Sequence, residues 1–142
     1  SNMACVDANL ADTVATAIRA FDASLILLAP ACSALADAGR RAGLRVVEEI
    51  FADRAYQDDG SLVPRSRPDA LIHGAAASLA HVLAMLEAGA LISLNGTHRP
   101  TPIGSICVHG DGPEAVATAR ALRAGLLERG YRLAGLEAMA AD

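Results

Sequence analysis

Tryptophan is absent from this chain and aromatic residues make up only 3% of it, so no core can be organised around large rings. Apolar residues nevertheless reach 53%, supplied mainly by Ala, Leu, Val and Ile, and small side chains of this kind let helices and strands approach closely. Long apolar runs are missing as well. Stretches such as Leu25 to Ala31 fall far short of the roughly 20 residues of a membrane-spanning helix, which predicts a soluble protein with no membrane partner. There is no basic excess: the formal net charge is −4 and the arginines are scattered, which excludes a phosphate-tracking surface and nucleic acid as a partner.

The three cysteines, Cys5, Cys32 and Cys107, are an odd number without metal-ligand spacing, which argues against a secreted disulfide framework and predicts a cytoplasmic location. No His-x-His or Cys-x-x-Cys pair occurs, so no metal site is expected from these residues alone. Gly-x-Ser-x-Gly, Walker A and Gly-x-Gly-x-x-Gly runs are also missing, which excludes a serine nucleophile elbow and P-loop chemistry. The 142 residues suit one domain, 1–142, well below the roughly 250 of a closed (β/α) barrel. Ser1-Asn2 reads as the scar of a removed expression tag.

What is present is an alternation of helical and strand patterns. Leu10, Val14, Ala17, Ile18 and Phe21 share one helical face, with Asp7 or Asn9 available as cap. The run Ser24 to Ala29 predicts a strand buried on both faces, Cys32 to Ala42 a helix stopped at Gly43, and Leu44 to Glu48 the next strand. Such a β-α-β unit makes its strands parallel. Between Phe51 and Asp69 no period survives, which marks a long and therefore functional loop. Ala75 to Leu86 reads as a helix closed by Gly89. Leu91 to Leu94 and Ser105 to Val108 read as strands joined through the Asn95-Gly96 turn. Pro113 to Arg129 predicts another helix, and Tyr131 to Leu133 a final strand.

Chemistry concentrates where strands give way to loops, the place at which parallel α/β folds assemble their sites. At the end of one strand Glu48 and Glu49 alternate sides, so only one can face a site. Asp53-Arg54 follows. In one reading the loop presents Glu49, Asp53 and Arg54 to a small polar substrate with Arg65 closing over it; in the other, Asp53 and Arg54 simply pin the loop. After the strand Ile106-Cys107-Val108 comes His109-Gly110-Asp111, directly before a helix, an arrangement that suits a phosphate or carboxylate. His109 is a candidate general acid or base. Asp111 either orients that imidazole, carries a metal, or caps the helix. Cys107, among apolar neighbours, reads as a structural thiol. His81 reads as a surface or half-buried helix residue and His98 as part of a turn.

Two of these stretches carry a resemblance. Phe51-Ala52-Asp53-Arg54-Ala55-Tyr56 with Asp59-Gly60-Ser61-Leu62-Val63-Pro64-Arg65, and Cys107-Val108-His109-Gly110-Asp111, are similar to the signature of the LamB/YcsF family, the A subunits of 5-oxoprolinase. The resemblance runs from about Ala4 to about Leu133 and corresponds to the family's C-terminal half. It implies an α/β fold, a partial (β/α) barrel-like domain of the glycoside hydrolase/deacetylase type with about five strands, mostly parallel with one hairpin. It further implies a hydrolase that opens 5-oxoproline, a lactam, to L-glutamate at the expense of ATP, acting with 5-oxoprolinase subunits B and C; whether a divalent ion accompanies the ATP is left open.

Carried onto this chain, the resemblance makes Asp53, His109 and Glu49 the catalytic candidates. Arg54, Arg65, Tyr56, Gly110 and Asp111 become candidates for holding substrate or ATP. Half a barrel would leave strand edges and apolar helix faces open, which predicts a homo-oligomer. The competing expectations are a truncated, catalytically inactive family member serving as a binding or oligomerisation module, and, by fold analogy alone, a metal-assisted deacetylase or amidase.

Overall fold

The computed structural model describes residues 2–110 and 112–139. Short helix α1 (Asn2–Val6) precedes α2 (Ala8–Phe21), whose start is fixed by Asp7: its carboxylate accepts from the N–H groups of Asn9 and Leu10. Strand β1 (Ile26–Pro30), helix α3 (Ala34–Arg41) and strand β2 (Arg45–Phe51) form the expected parallel unit, with Leu27 beside Val46 and Pro30 beside Glu49. Ser33 caps α3 through its hydroxyl. Between α3 and β2 the chain turns at Gly43, whose φ of +73° is a conformation that side-chain-bearing residues avoid.

Helix α4 (Ala75–Ala88) ends on Gly89 in the left-handed conformation, as expected. The chain then forms β3 (Ala90–Ile92), β4 (His98–Pro100) and β5 (Ile103–Cys107). Here the structure corrects the sequence reading. The Asn95-Gly96 turn joins β3 antiparallel to β4, with Ile92 opposite His98, so His98 lies in a strand and not in the turn. Strand β5 leaves that hairpin and pairs parallel with β2 instead. Helix α5 (Ala115–Glu128) and the short α6 (Leu136–Met139) follow. Residues Tyr131 to Leu133 form no strand.

The result is an open parallel sheet in the order β1-β2-β5 plus a separate two-stranded hairpin, a partial (β/α) barrel whose edges are β1 and β5. One core lies beneath β2, where Ile50, Val82, Met85, Leu91, Leu122 and Leu126 bring α4 and α5 against the sheet. The second packs α1, α2 and α3 on β1 through alanines such as Ala11, Ala15, Ala29 and Ala36 together with Leu27 and Leu35. Small residues allow this close approach, which answers to the composition. Of the two acids on β2, Glu48 is the one that turns into the protein. It is 3% exposed. Its carboxylate accepts from the Cys32 N–H, the Thr101 hydroxyl and the Arg40 guanidinium, so it ties α3, β1 and the hairpin exit to β2.

The long segment after β2 is irregular but not loose. Ala55, Val63 and Ala70 form a small buried cluster of their own. Isolated bridges pair Arg54 with Leu71 and Tyr56 with Leu62. The Ile72 N–H donates to the Asp53 carbonyl and the Leu94 N–H to the Tyr56 carbonyl. Asp58 accepts from Ser93 and Asn95, which binds the loop to the hairpin; these bonds hold its carboxyl below the ordinary carboxylate range.

Candidate functional site

The site follows from the register of two neighbouring parallel strands. Phe51 pairs with Cys107, and the Ala52 N–H extends the ladder by donating to the Cys107 carbonyl. Two residues beyond each member of that pair stand Asp53 and His109, which therefore leave the sheet side by side. His109 Nδ1 lies 2.8 Å from one oxygen of Asp53 and 2.9 Å from the other. An ionised carboxylate can only accept, so Nδ1 carries a proton and Nε2 is the nitrogen left for a further contact. The imidazole is further fixed by stacking on the ring of Phe51, with centroids 5.6 Å apart and planes 13° from parallel. Both side chains remain partly accessible, Asp53 at 25% and His109 at 28%.

This pair opens onto a cleft of about 420 Å3 lined also by Arg65, His73, Ser78, Pro113 and Thr118. A second cleft of about 640 Å3 lies between the end of β1 and the 59–65 loop, lined by Cys32, Phe51, Arg54, Tyr56 and, again, Arg65. Arg65 thus borders both. Gly110 follows His109 at an exposed position, while Asp111 lies outside the described residues.

The other candidates divide. Glu49 is half-buried on the face of β2 opposite to Glu48 and sits beside Cys107, whose thiol is pushed up to about 11 by burial and by the neighbouring Glu49 charge and hydrogen bond. Cys107 is therefore at the strand end beside an acid, not wholly among apolar neighbours as the sequence suggested. Tyr56 is only 2% exposed, and its hydroxyl accepts from the Phe51 N–H at 2.7 Å; burial raises its pKa. Arg54 is 7% exposed and donates to the Val63 carbonyl at 2.9 Å. Asp53, by contrast, turns to His109.

Arg54 is left with a buried Nε that has no hydrogen-bond partner. Its pKa is lowered, first by burial and then by the charge of Arg65. A guanidinium in that condition favours an anionic neighbour. One residue escapes the sequence reading as a contact. His81, on α4, reaches the carbonyl of Arg54 with Nε2 at 3.1 Å, and only its helical position, one turn before Met85, hints that it faces inward. Among the described residues no three His, Cys, Asp or Glu side chains converge as metal ligands. Nor is any helix there long and apolar enough to cross a membrane.

The sequence matches the profile of the LamB/YcsF family over residues 1–141. The chain belongs to this family. Among LamB/YcsF relatives, the 5-oxoprolinase A subunit of Azoarcus sp. (strain BH72) is 53% identical over 139 residues, covering 98% of this chain and 54% of the relative. The protein of the same name from Methylococcus capsulatus is 50% identical, covering 94% of this chain and 51% of the relative. The crystal structure of a lactam utilization protein from Thermus thermophilus superposes with a TM-score of 0.79 at 34% identity, over 92% of this chain and 52% of that one. The chain thus spans about half the length of the LamB/YcsF proteins it matches.

Proposed function

We propose that this chain supplies the C-terminal half of the A subunit of a 5-oxoprolinase, which takes part in the ATP-dependent opening of 5-oxoproline to L-glutamate with the B and C subunits. The Asp53–His109 pair carries this reading. Opening a lactam requires protons to be moved at its amide and at attacking water, and an imidazole held by a carboxylate at the end of a parallel strand does this near neutral pH. Asp53 fixes the tautomer and steadies the imidazolium that forms when Nε2 takes a proton. Glu49, at the neighbouring strand position, is the second acid-base candidate.

A resonance-stabilised amide resists water, and phosphorylation of its oxygen by ATP would make it labile. The residues present fit an anionic group, whether the carboxylate of 5-oxoproline or a phosphoryl group: Arg54 holds a buried Nε without an acceptor, and Arg65 borders both clefts. In this reading Arg54 and Arg65 hold the anion. Gly110 and Asp111 belong to the same anion-holding stretch by family resemblance, and buried Tyr56 shapes the loop. No divalent ion is assigned.

The test is 5-oxoproline-dependent ATP hydrolysis by this chain with the B and C subunits, beside an intact family member and an Asp53→Ala variant. Turnover by this chain that disappears in the variant supports the reading. A well-folded chain that gives no turnover while the intact relative does would instead favour a binding or oligomerisation module, for which the open edges β1 and β5 are the structural argument.

A further inference from the structure

We infer that His81 is a positioning residue for the Asp53–His109 pair, acting through the backbone of Arg54 and the ring of Tyr56. The inference rests on reading that pair as the working centre. His81 lies on α4, far along the chain from either member, yet two chains of contact lead from it to them. The first is short. Its Nε2 is 3.1 Å from the carbonyl oxygen of Arg54, the residue that follows Asp53. A carbonyl only accepts, so Nε2 carries the proton and the donor is His81. On the other side of that segment the Asp53 carbonyl accepts from the Ile72 N–H. The two consecutive peptides after Asp53 are thereby each held by one donor, Asp53–Arg54 by Ile72 and Arg54–Ala55 by His81, which fixes the backbone from which the Asp53 side chain leaves.

The second chain runs through rings. His81 stacks on Tyr56 with centroids 6.2 Å apart and planes at 21°. The Tyr56 hydroxyl accepts from the N–H of Phe51, and the Phe51 ring lies against His109. Both routes end on the same pair of side chains, one on each partner. Burial lowers the pKa of His81 and keeps it neutral, which suits a fixed donor and not a group that exchanges protons with substrate.

A residue that merely fills space could be replaced by any side chain of similar bulk. A positioning residue could not, because the donor to Arg54 would be lost while the packing remained. His81→Leu and His81→Gln separate the two, since leucine fills the space without a donor and glutamine keeps an amide N–H of similar reach.

The readout is the imidazole 15N spectrum of His109, which distinguishes the Nδ1–H tautomer imposed by Asp53 from the Nε2–H tautomer preferred by free histidine. The wild type and His81→Gln should show the Nδ1–H form. His81→Leu should show a mixture shifted toward Nε2–H, and, with the B and C subunits, a kcat lowered at least tenfold with KM changed less than twofold. If the leucine variant does not fold, His81→Asn, polar but too short to reach the carbonyl, takes its place. A folded variant without the donor whose His109 spectrum matches the wild type overturns the inference. The spectrum needs no turnover, so it stands apart from the test of 5-oxoprolinase activity: absent wild-type turnover would count against that function and leave the tautomer result to decide the role of His81.

Discussion

Asp53 and His109, 56 positions apart in sequence, meet because β2 and β5 are neighbours in one parallel sheet, with Nδ1 within 2.8 Å and 2.9 Å of the two carboxylate oxygens. The contact is set by backbone register and then reinforced by side chains. Phe51 supplies a stacking surface beneath the imidazole, and Ile72 holds the Asp53 carbonyl. Two strands thus deliver an acid and a base to one point without any local motif linking them.

A pair that acts as a unit should fail as a unit. Asp53→Asn keeps the shape of the side chain and removes the charge that steadies a protonated His109, whereas His109→Ala removes the base. Under the proposed function, each should slow the ATP hydrolysis that depends on 5-oxoproline by a factor of about 10^2 to 10^4. The double variant should be no slower than the slower single one, because the second change removes nothing that still works. Steady-state kinetics on the three variants, with B and C subunits present, provide the check. Multiplying losses would mean that the two residues act separately.

Much of the fold can be read along the chain because it rests on local signals. Asp7 caps α2, Ser33 caps α3, Gly43 and Gly89 take positive φ, and the β1-α3-β2 unit is parallel. The hairpin escapes such a reading for a physical reason. His98-Arg99-Pro100 is short, exposed and without alternation, so the apolar run ending at Val108 looks the better partner for Leu91 to Leu94. That run instead serves the sheet, a choice made by long-range pairing with β2. The same gap applies to the site. Strand ends carrying Asp53 and His109 are legible as candidates, but their contact needs the register, and the inward turn of Arg54 and Tyr56 needs the folded loop that buries Ala55, Val63 and Ala70.

Glu48 holds the sheet to its surroundings through three donors: the backbone of Cys32, the hydroxyl of Thr101 and Arg40. Glu48→Ala would strand the first two in a buried place while half-exposed Arg40 turns to water. Destabilisation of roughly 2–4 kcal/mol is expected, since each stranded group costs about 1–3 kcal/mol. Glu48→Gln, which can still accept, should lose less. Urea denaturation followed by circular dichroism measures both, and equal losses would show that charge, not hydrogen-bond acceptance, is what matters there.

Cys32 has a φ of +57°, the one non-glycine residue at positive φ among those described. It stands at the turn from β1 into α3, where its N–H reaches Glu48. A side chain at such a φ costs of order 1 kcal/mol. Cys32→Gly should therefore be neutral or stabilising by up to about 1 kcal/mol, the small loss of packing offsetting part of the relief. Cys32→Val should destabilise, because a β-branched side chain fits this conformation worse than cysteine. Thermal melts of the two variants should move in opposite directions from the wild type, or the Gly variant should stay level with it. A glycine variant that melts well below the valine variant would show that the Cys32 side chain holds the turn by contact.

Cys107 titrates far from where an ordinary thiol does. Its pKa is pushed up to about 11 from 9.0, first by burial and then by the adjacent Glu49. The native thiol therefore stays protonated while the same group in an unfolded chain ionises, so stability from this residue is complete below about pH 9 and fades as the pH rises toward about 11. Two pH units also mean about a hundredfold less thiolate in the native state at pH 8, and thiolate is the reactive form. Iodoacetamide at pH 8, with mass mapping over time, should label Cys107 about a hundredfold more slowly in the folded protein than in urea. Glu49→Gln should recover part of that rate but not all of it, because burial is the larger cause. Full recovery would reverse that order and make Glu49 the dominant influence on the Cys107 thiol.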